Sequence, residues 1–104
     1  MTWYACVAYF FGGAFLVNAV PHFVSGASGR RFPSPFASPP GKGESSPTVN
    51  VLWGALNVVI AYVLVLRVGE FHLRQTSCVL ALGAGGLLMG LQLASHFGTV
   101  YSGK

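Results

Sequence analysis

Six amide and imidazole side chains stand out in this sequence because they interrupt long apolar segments. Side chains of this kind either hydrogen-bond neighbouring helices to one another or line a ligand pocket. Hydrogen bonding between helices is the expected role for the amides, and a pocket is the alternative. The six residues are Asn18, His22, Asn50, Asn57, Gln92 and His96.

Two of these residues, His22 and His96, raise the question of a metal. Imidazoles from two different helices can ligate a haem iron or another transition metal. The pair lacks the spacing of a metal-binding motif, and both residues lie near predicted helix ends, where a histidine reaches water. We therefore predict no metal and no cofactor, and keep haem ligation as the alternative.

The composition indicates that these residues belong to membrane segments. Of the 104 residues, 53% are apolar and 8% are charged, whereas a soluble domain has about 25% charged residues. Residues 1–29, 45–66 and 75–103 carry no charge, and each stretch can hold the roughly 20 residues of a membrane-spanning helix. Disorder, a soluble fold, a nucleic-acid-binding domain and a disulfide scaffold are excluded.

The predicted fold is all-α, a single domain of three transmembrane helices. The helices should cover about residues 2–20, 48–66 and 76–97, and a Pro/Gly-rich loop should cover 23–47. Pro21 is expected to end or kink the first helix. The end of helix one, the start of helix two and the end of helix three meet on the side of this loop, so the six polar residues should gather there.

Helical spacing assigns residues to faces of helices two and three. On helix two, a single face should hold Asn50, Gly54, Asn57 and Ala61. On helix three, a strip of small residues permits close helix approach, and it comprises Gly83, Gly86, Gly90 and Ala94. This strip lies opposite the sector of Gln92 and His96. It therefore serves either a second chain or packing within the bundle, and both remain open.

No enzyme motif is present in the sequence, and we predict that the protein is not an enzyme. The two acids, Glu44 and Glu70, both lie in predicted loops, which leaves no Ser-His-acid set and no paired intramembrane carboxylates. Cys6 and Cys78 are expected on one side of the membrane, and oxidation could join them if that side is periplasmic. Two free thiols are the expected state, because Cys6 lies about one turn deeper.

The cations predict an orientation by the positive-inside rule. The loop 23–47 and the C-terminus carry four cationic residues, which are Arg30, Arg31, Lys42 and Lys104. The N-terminus and the second loop carry two, Arg67 and Arg74. The loop and the C-terminus should therefore be cytoplasmic, and the N-terminus outside. Arg30 and Arg31 are expected to contact lipid headgroups.

Three segments in the first half of the chain resemble short bacterial membrane proteins that have no assigned function. They are residues 18–23 (NAVPHF), 32–41 (FPSPFASPPG) and 45–54 (SSPTVNVLWG). The resemblance implies a bacterial inner membrane and carries no function with it.

The small size and the small-residue strip predict a protein that binds other membrane helices. It would be an accessory or assembly subunit of a larger complex, or a homo-oligomer, with the lipid bilayer and other subunits or itself as partners and no nucleic acid. One alternative is a small-solute transporter or channel formed by an oligomer. Another is a haem- or quinone-binding redox subunit that uses His22 and His96.

Overall fold

A computed structural model describes residues 1–102 and shows an all-helical chain, which confirms the predicted fold class at that level. The long helices are α1 (Trp3–Ala27), α2 (Pro47–Leu66) and α3 (Thr76–Ser102). Each is long and apolar enough to cross a membrane. The molecule is 44 Å long, close to the roughly 40–45 Å of a bilayer with its headgroups.

Side-chain caps set the starts of the first two helices. The Thr2 hydroxyl accepts a hydrogen bond from the Ala5 N–H at 3.3 Å, and the Ser46 hydroxyl accepts one from the Val49 N–H at 3.2 Å. Pro47 follows as the first residue of α2, where its missing N–H leaves no intrahelical bond unmade.

The expected end of helix one near residue 20 is wrong. Pro21 lies inside α1, which continues to Ala27, about two turns beyond the expected end. Proline removes only the backbone bond to the Val17 carbonyl, and the packing of the following residues against α2 offsets that loss. The helix ends where Gly29 adopts a φ of +74°, a conformation that glycine takes without strain.

Helix α1 is the central element, since α2 and α3 each pack along it and scarcely contact each other. Glycines allow the backbones to approach closely. A Cβ on Gly85 of α3 would overlap the Phe10 carbonyl of α1, and a Cβ on Gly13 would overlap the Leu82 carbonyl. The apolar sides of α2 and α3 that face away from α1 are left exposed.

The proline-rich connection folds back on itself as a short ribbon. Strand β1 (Phe32–Pro33) pairs antiparallel with β2 (Glu44–Ser45). The Ser34 and Ser45 hydroxyls, both buried, are hydrogen-bonded at 2.5 Å beneath the ribbon. The Ser38–Pro39 peptide bond is cis. The ribbon lies against the ends of the helices that carry most of the predicted polar cluster.

Candidate functional site

Asn50 is the centre of a buried polar cluster beneath the ribbon, and its side chain is fully buried. Its amide nitrogen Nδ2 donates to the carbonyls of Phe32 at 2.9 Å, Ser46 at 3.1 Å and Ser45 at 3.3 Å. Its Oδ1 lies 2.9 Å from Nδ1 of His22. One residue of α2 thus holds both the ribbon and α1.

This arrangement defines the tautomer of His22, which is 3% exposed. Because Nδ2 of Asn50 faces carbonyl oxygens, its Oδ1 faces the imidazole, and Nδ1 of His22 must carry the proton that it donates. The neutral ring then presents the lone pair of Nε2. The ring makes edge-to-face contacts with Phe32, Trp53 and Phe97 at centroid distances of 5.4, 6.3 and 6.2 Å.

A second amide pair joins the same two helices further from the ribbon. Nδ2 of Asn18 donates to Oδ1 of Asn57 at 2.9 Å. Asn57 is fully buried, and its own Nδ2 donates to the Trp53 carbonyl at 2.7 Å. A Cβ on Gly54 would meet the backbone of Phe23, so this glycine permits the close approach that both amide pairs require.

The predicted face of helix two is confirmed. The buried residues of α2 are the four that helical spacing assigns to one side, Asn50, Gly54, Asn57 and Ala61. This face is the surface on which α1 packs.

His96 belongs to the same end of the molecule but holds a different part of the ribbon. Its Nε2 lies 2.6 Å from the Gly41 carbonyl, which can only accept, so Nε2 carries the proton and Nδ1 keeps the lone pair. One turn further, the Tyr101 hydroxyl donates to the Glu44 carboxylate at 3.2 Å. The end of α3 is therefore attached to the connection between α1 and α2.

The structure does not bring Gln92 into the polar cluster. The side chain is exposed and makes no hydrogen bond with any residue in the range 1–102. Beyond Gly85 the contact with α1 passes to Gly86 and Gly90, which face Val17, and Gln92 follows two residues after Gly90 on the other side of the helix. Spacing within one helix could not reveal which sector would face inward.

The predicted small-residue strip of α3 is divided between two surroundings. An added Cβ on Gly86 or Gly90 would lie 3.0 or 3.8 Å from Val17 of α1, so these residues face the bundle. Gly83 has no atom within 4 Å of its added Cβ, and Ala94 is exposed. Of the four residues of this strip, only Gly83 and Ala94 are thus available to another chain.

The remaining predicted residues occupy the ends of the molecule. Arg30 and Arg31 are exposed, and Arg31 donates to the Glu44 carbonyl at 3.4 Å. Cys6 and Cys78 are free thiols, and Cys78 donates to the Gln75 side chain at 3.4 Å. Lys104, which contributes to the predicted orientation, lies outside the described residues.

The haem alternative needs one metal between His22 and His96, and the structure gives each ring one free nitrogen. Within residues 1–102, no group of three or more His, Cys, Asp or Glu side chains is placed to hold a metal ion. His22 and His96 would therefore have to act as a pair of axial ligands rather than as part of a protein-only metal cage.

Sequence reasoning missed the aromatic and serine residues around the cluster. Trp53 lies three residues after Asn50, a spacing that places it beside Asn50 on a helix, and its indole N–H is buried without a hydrogen-bond partner in the described chain. Phe32 and Ser34 reach the cluster only because the connection folds back, and their local sequence carries no signal of that.

Comparison of the chain with protein-family models, with curated proteins and with solved structures finds no match. The fold and the cluster define a small all-helical protein with three helices long and apolar enough to cross a membrane.

Proposed function

We propose that this protein spans a bacterial inner membrane and binds other membrane helices there. It would act as an accessory or assembly subunit of a larger complex, or as a homo-oligomer. The exposed amide of Gln92, which has no hydrogen-bond partner among residues 1–102, is the observation that carries the proposal.

Gln92 lies within the part of α3 proposed to cross the membrane. It lies one helical turn, about 6 Å, on the membrane side of His96, whose bond to Gly41 places it level with the ribbon. In hydrocarbon there is no water to satisfy an amide, and hydrogen bonds from Gln to a neighbouring helix stabilise helix association by about 0.6–1.7 kcal/mol. A second helix would supply the missing partner.

The surroundings of Gln92 suit such a helix. Leu88 and Ser95 lie about one turn before and after it on the same exposed face of α3, and Ala84 lies exposed two turns before it. Small residues let helix backbones approach closely, which is the main source of helix association in lipid. The proposed surface is defined by these four residues, Gln92, Ser95, Leu88 and Ala84.

Native mass spectrometry of protein gently extracted from its own membrane tests this function. We expect wild-type protein with a second polypeptide or in integer multiples of its own mass, and a loss of that species in Gln92→Leu. Thr99→Val is the matched control, because the Thr99 hydroxyl is already bonded to the Ser95 carbonyl at 3.0 Å. A bare wild-type monomer, or equal assembly of wild type and Gln92→Leu, would contradict the proposal.

The proposed orientation has the ribbon in the cytoplasm and the N-terminus outside. Arg30, Arg31 and Lys42 support it, since all three are exposed at the ribbon end. In a variant with both native cysteines replaced by alanine, Ser28→Cys should resist a membrane-impermeant maleimide in intact cells, and Leu73→Cys in the second loop should react. The opposite labelling pattern would reverse the orientation.

A second candidate function is the haem- or quinone-binding redox subunit. The free lone pairs on Nε2 of His22 and Nδ1 of His96, left by their hydrogen bonds to Asn50 and Gly41, favour it. A visible absorption band that is lost in both His22→Ala and His96→Ala would support this function. The Asn18, Asn50 and Asn57 amides are satisfied within the chain, so they do not favour the solute channel.

A further inference from the structure

An apolar groove opens between α2 and α3 at the end of the molecule opposite the ribbon. Its volume is about 640 Å³, within the roughly 300–1,000 Å³ of ligand sites in proteins. Leu16 of α1 lies at its base, Val58 of α2 and Leu82 of α3 form its walls, and Phe71 and Arg74 of the second loop lie at its mouth.

The groove exists because both outer helices pack on α1 and scarcely on each other. Along α2 it extends from Leu66 to Val58, which is about 12 Å at 1.5 Å per residue. One leaflet of a hydrocarbon core is about 15 Å deep. The groove therefore matches the depth of a single leaflet, whereas a spanning helix would need a groove about twice as long.

The charge at the mouth indicates what lies above the groove. Arg74 is exposed at the rim, and no carboxylate among residues 1–102 makes an ion pair with it. The nearby acid, Glu70, lies instead 3.9 Å from His72. A guanidinium without a carboxylate partner is a good ligand for a phosphate, to which it donates two parallel hydrogen bonds.

We infer that this groove is a binding site for an anionic phospholipid of the leaflet on the side of the second loop. One acyl chain lies between α2 and α3 along Leu16 and Val58, and the headgroup phosphate accepts hydrogen bonds from Arg74. The inference rests on the proposed membrane location and does not depend on a partner helix at Gln92, which lies toward the other end of α3.

Native mass spectrometry of the full chain in nanodiscs of phosphatidylcholine with added phosphatidylglycerol tests the site. We expect one phosphatidylglycerol retained per chain. Arg74→Gln should lower its apparent affinity roughly tenfold, as expected for the loss of a charge-assisted bond, while Arg67→Gln, on the same loop but outside the groove, should leave it unchanged.

Filling the groove provides an independent pair of variants. Val58→Trp should expel the acyl chain, and Val59→Trp, on a neighbouring exposed position that does not line the groove, should not. Equal lipid retention by all four variants, or no retained lipid in the wild type, would overturn the site. A dimer mass that Val58→Trp abolishes would also overturn it, because a second copy would then occupy the groove.

These outcomes are separable from those for the proposed function. Loss of the partner mass in Gln92→Leu with phosphatidylglycerol still retained supports both proposals. A wild-type chain that retains phosphatidylglycerol but carries no partner contradicts only the proposed function. Failure of the chain to enter the membrane fraction of cells contradicts both.

Discussion

Replacing Asn50 by leucine should destabilise the ribbon and the α1–α2 contact together. Leucine has a similar size but no polar atoms, so Nδ1–H of His22 and the Phe32 carbonyl would both lose their partner. Each buried polar group left unsatisfied costs about 1–3 kcal/mol. The Ser46 carbonyl keeps the backbone N–H of residue 50 as a partner, and the bond to the Ser45 carbonyl is the longest of the three. We therefore assign the effect to the first two groups, for a total of about 2–6 kcal/mol.

Asn57→Leu is the matched control, because Asn57 is buried on the same face of α2 as Asn50. It makes one bond to another helix, from Asn18, and none to the ribbon. Its loss should cost about 0.6–1.7 kcal/mol, the range measured for single bonds between membrane helices. The two variants therefore differ in magnitude and in whether the ribbon is affected.

Two assays separate these effects. Unfolding in mixed detergent micelles compares the free energies of unfolding of wild type, Asn50→Leu and Asn57→Leu. Limited trypsin digestion under native conditions measures the opening of the ribbon, because trypsin cleaves after arginine and lysine. Arg31 directly precedes β1, and Lys42 lies between β1 and β2. We expect faster cleavage at these two residues in Asn50→Leu only.

Asn50→Asp distinguishes the two sides of the residue. The carboxylate can still accept from His22, but it has no N–H for the Phe32 carbonyl. Cleavage of the ribbon should therefore rise as in Asn50→Leu. Equal losses of stability in Asn50→Leu and Asn57→Leu, with unchanged trypsin cleavage, would refute the reasoning that Asn50 holds the ribbon.

Two further predictions concern α3. Gly85→Ala should reduce stability by about 1–3 kcal/mol, because the added Cβ would meet the Phe10 backbone. Gly83→Ala should instead stabilise α3 by up to about 1 kcal/mol, because no atom lies within 4 Å of the Cβ added there. Unfolding in micelles compares the two variants, and equal effects would contradict the assigned rotation of α3. His96→Ala removes the bond to the Gly41 carbonyl and should raise trypsin cleavage in the ribbon turn with a loss of stability of about 1 kcal/mol. Unchanged cleavage would show that the ribbon does not depend on α3.

The sequence was sufficient to predict the number of helices and the buried face of α2. A low charge content and three uncharged stretches of at least 22 residues leave few alternatives, because apolar segments of this length bury their backbone polar groups best as helices. The face of α2 also followed from spacing, since Asn50, Gly54 and Asn57 repeat at helical intervals. Both inferences depend on local periodicity alone.

The end of α1 shows where local rules fail. Pro21 is a reliable helix breaker when nothing else holds the chain, but here His22 is bonded to Asn50 of α2 and Gly26 packs against the start of that helix. These contacts are more than twenty residues away along the chain, so the local sequence does not contain them. Tertiary contacts therefore decided that the helix continues.

The surroundings of Gln92 and of the glycines of α3 were decided in the same way. Several sectors of α3 contain small residues, and the choice among them depends on which glycine fits the α1 backbone most closely. Gly85 meets the Phe10 carbonyl, and Gly86 and Gly90 face Val17 further along. Gln92 lies about 200° around α3 from Gly90 and is therefore outside the bundle. The sequence by itself determined three apolar helices and their polar residues, and only packing between helices decided which of those residues meet, because helix rotation is a property of the interface.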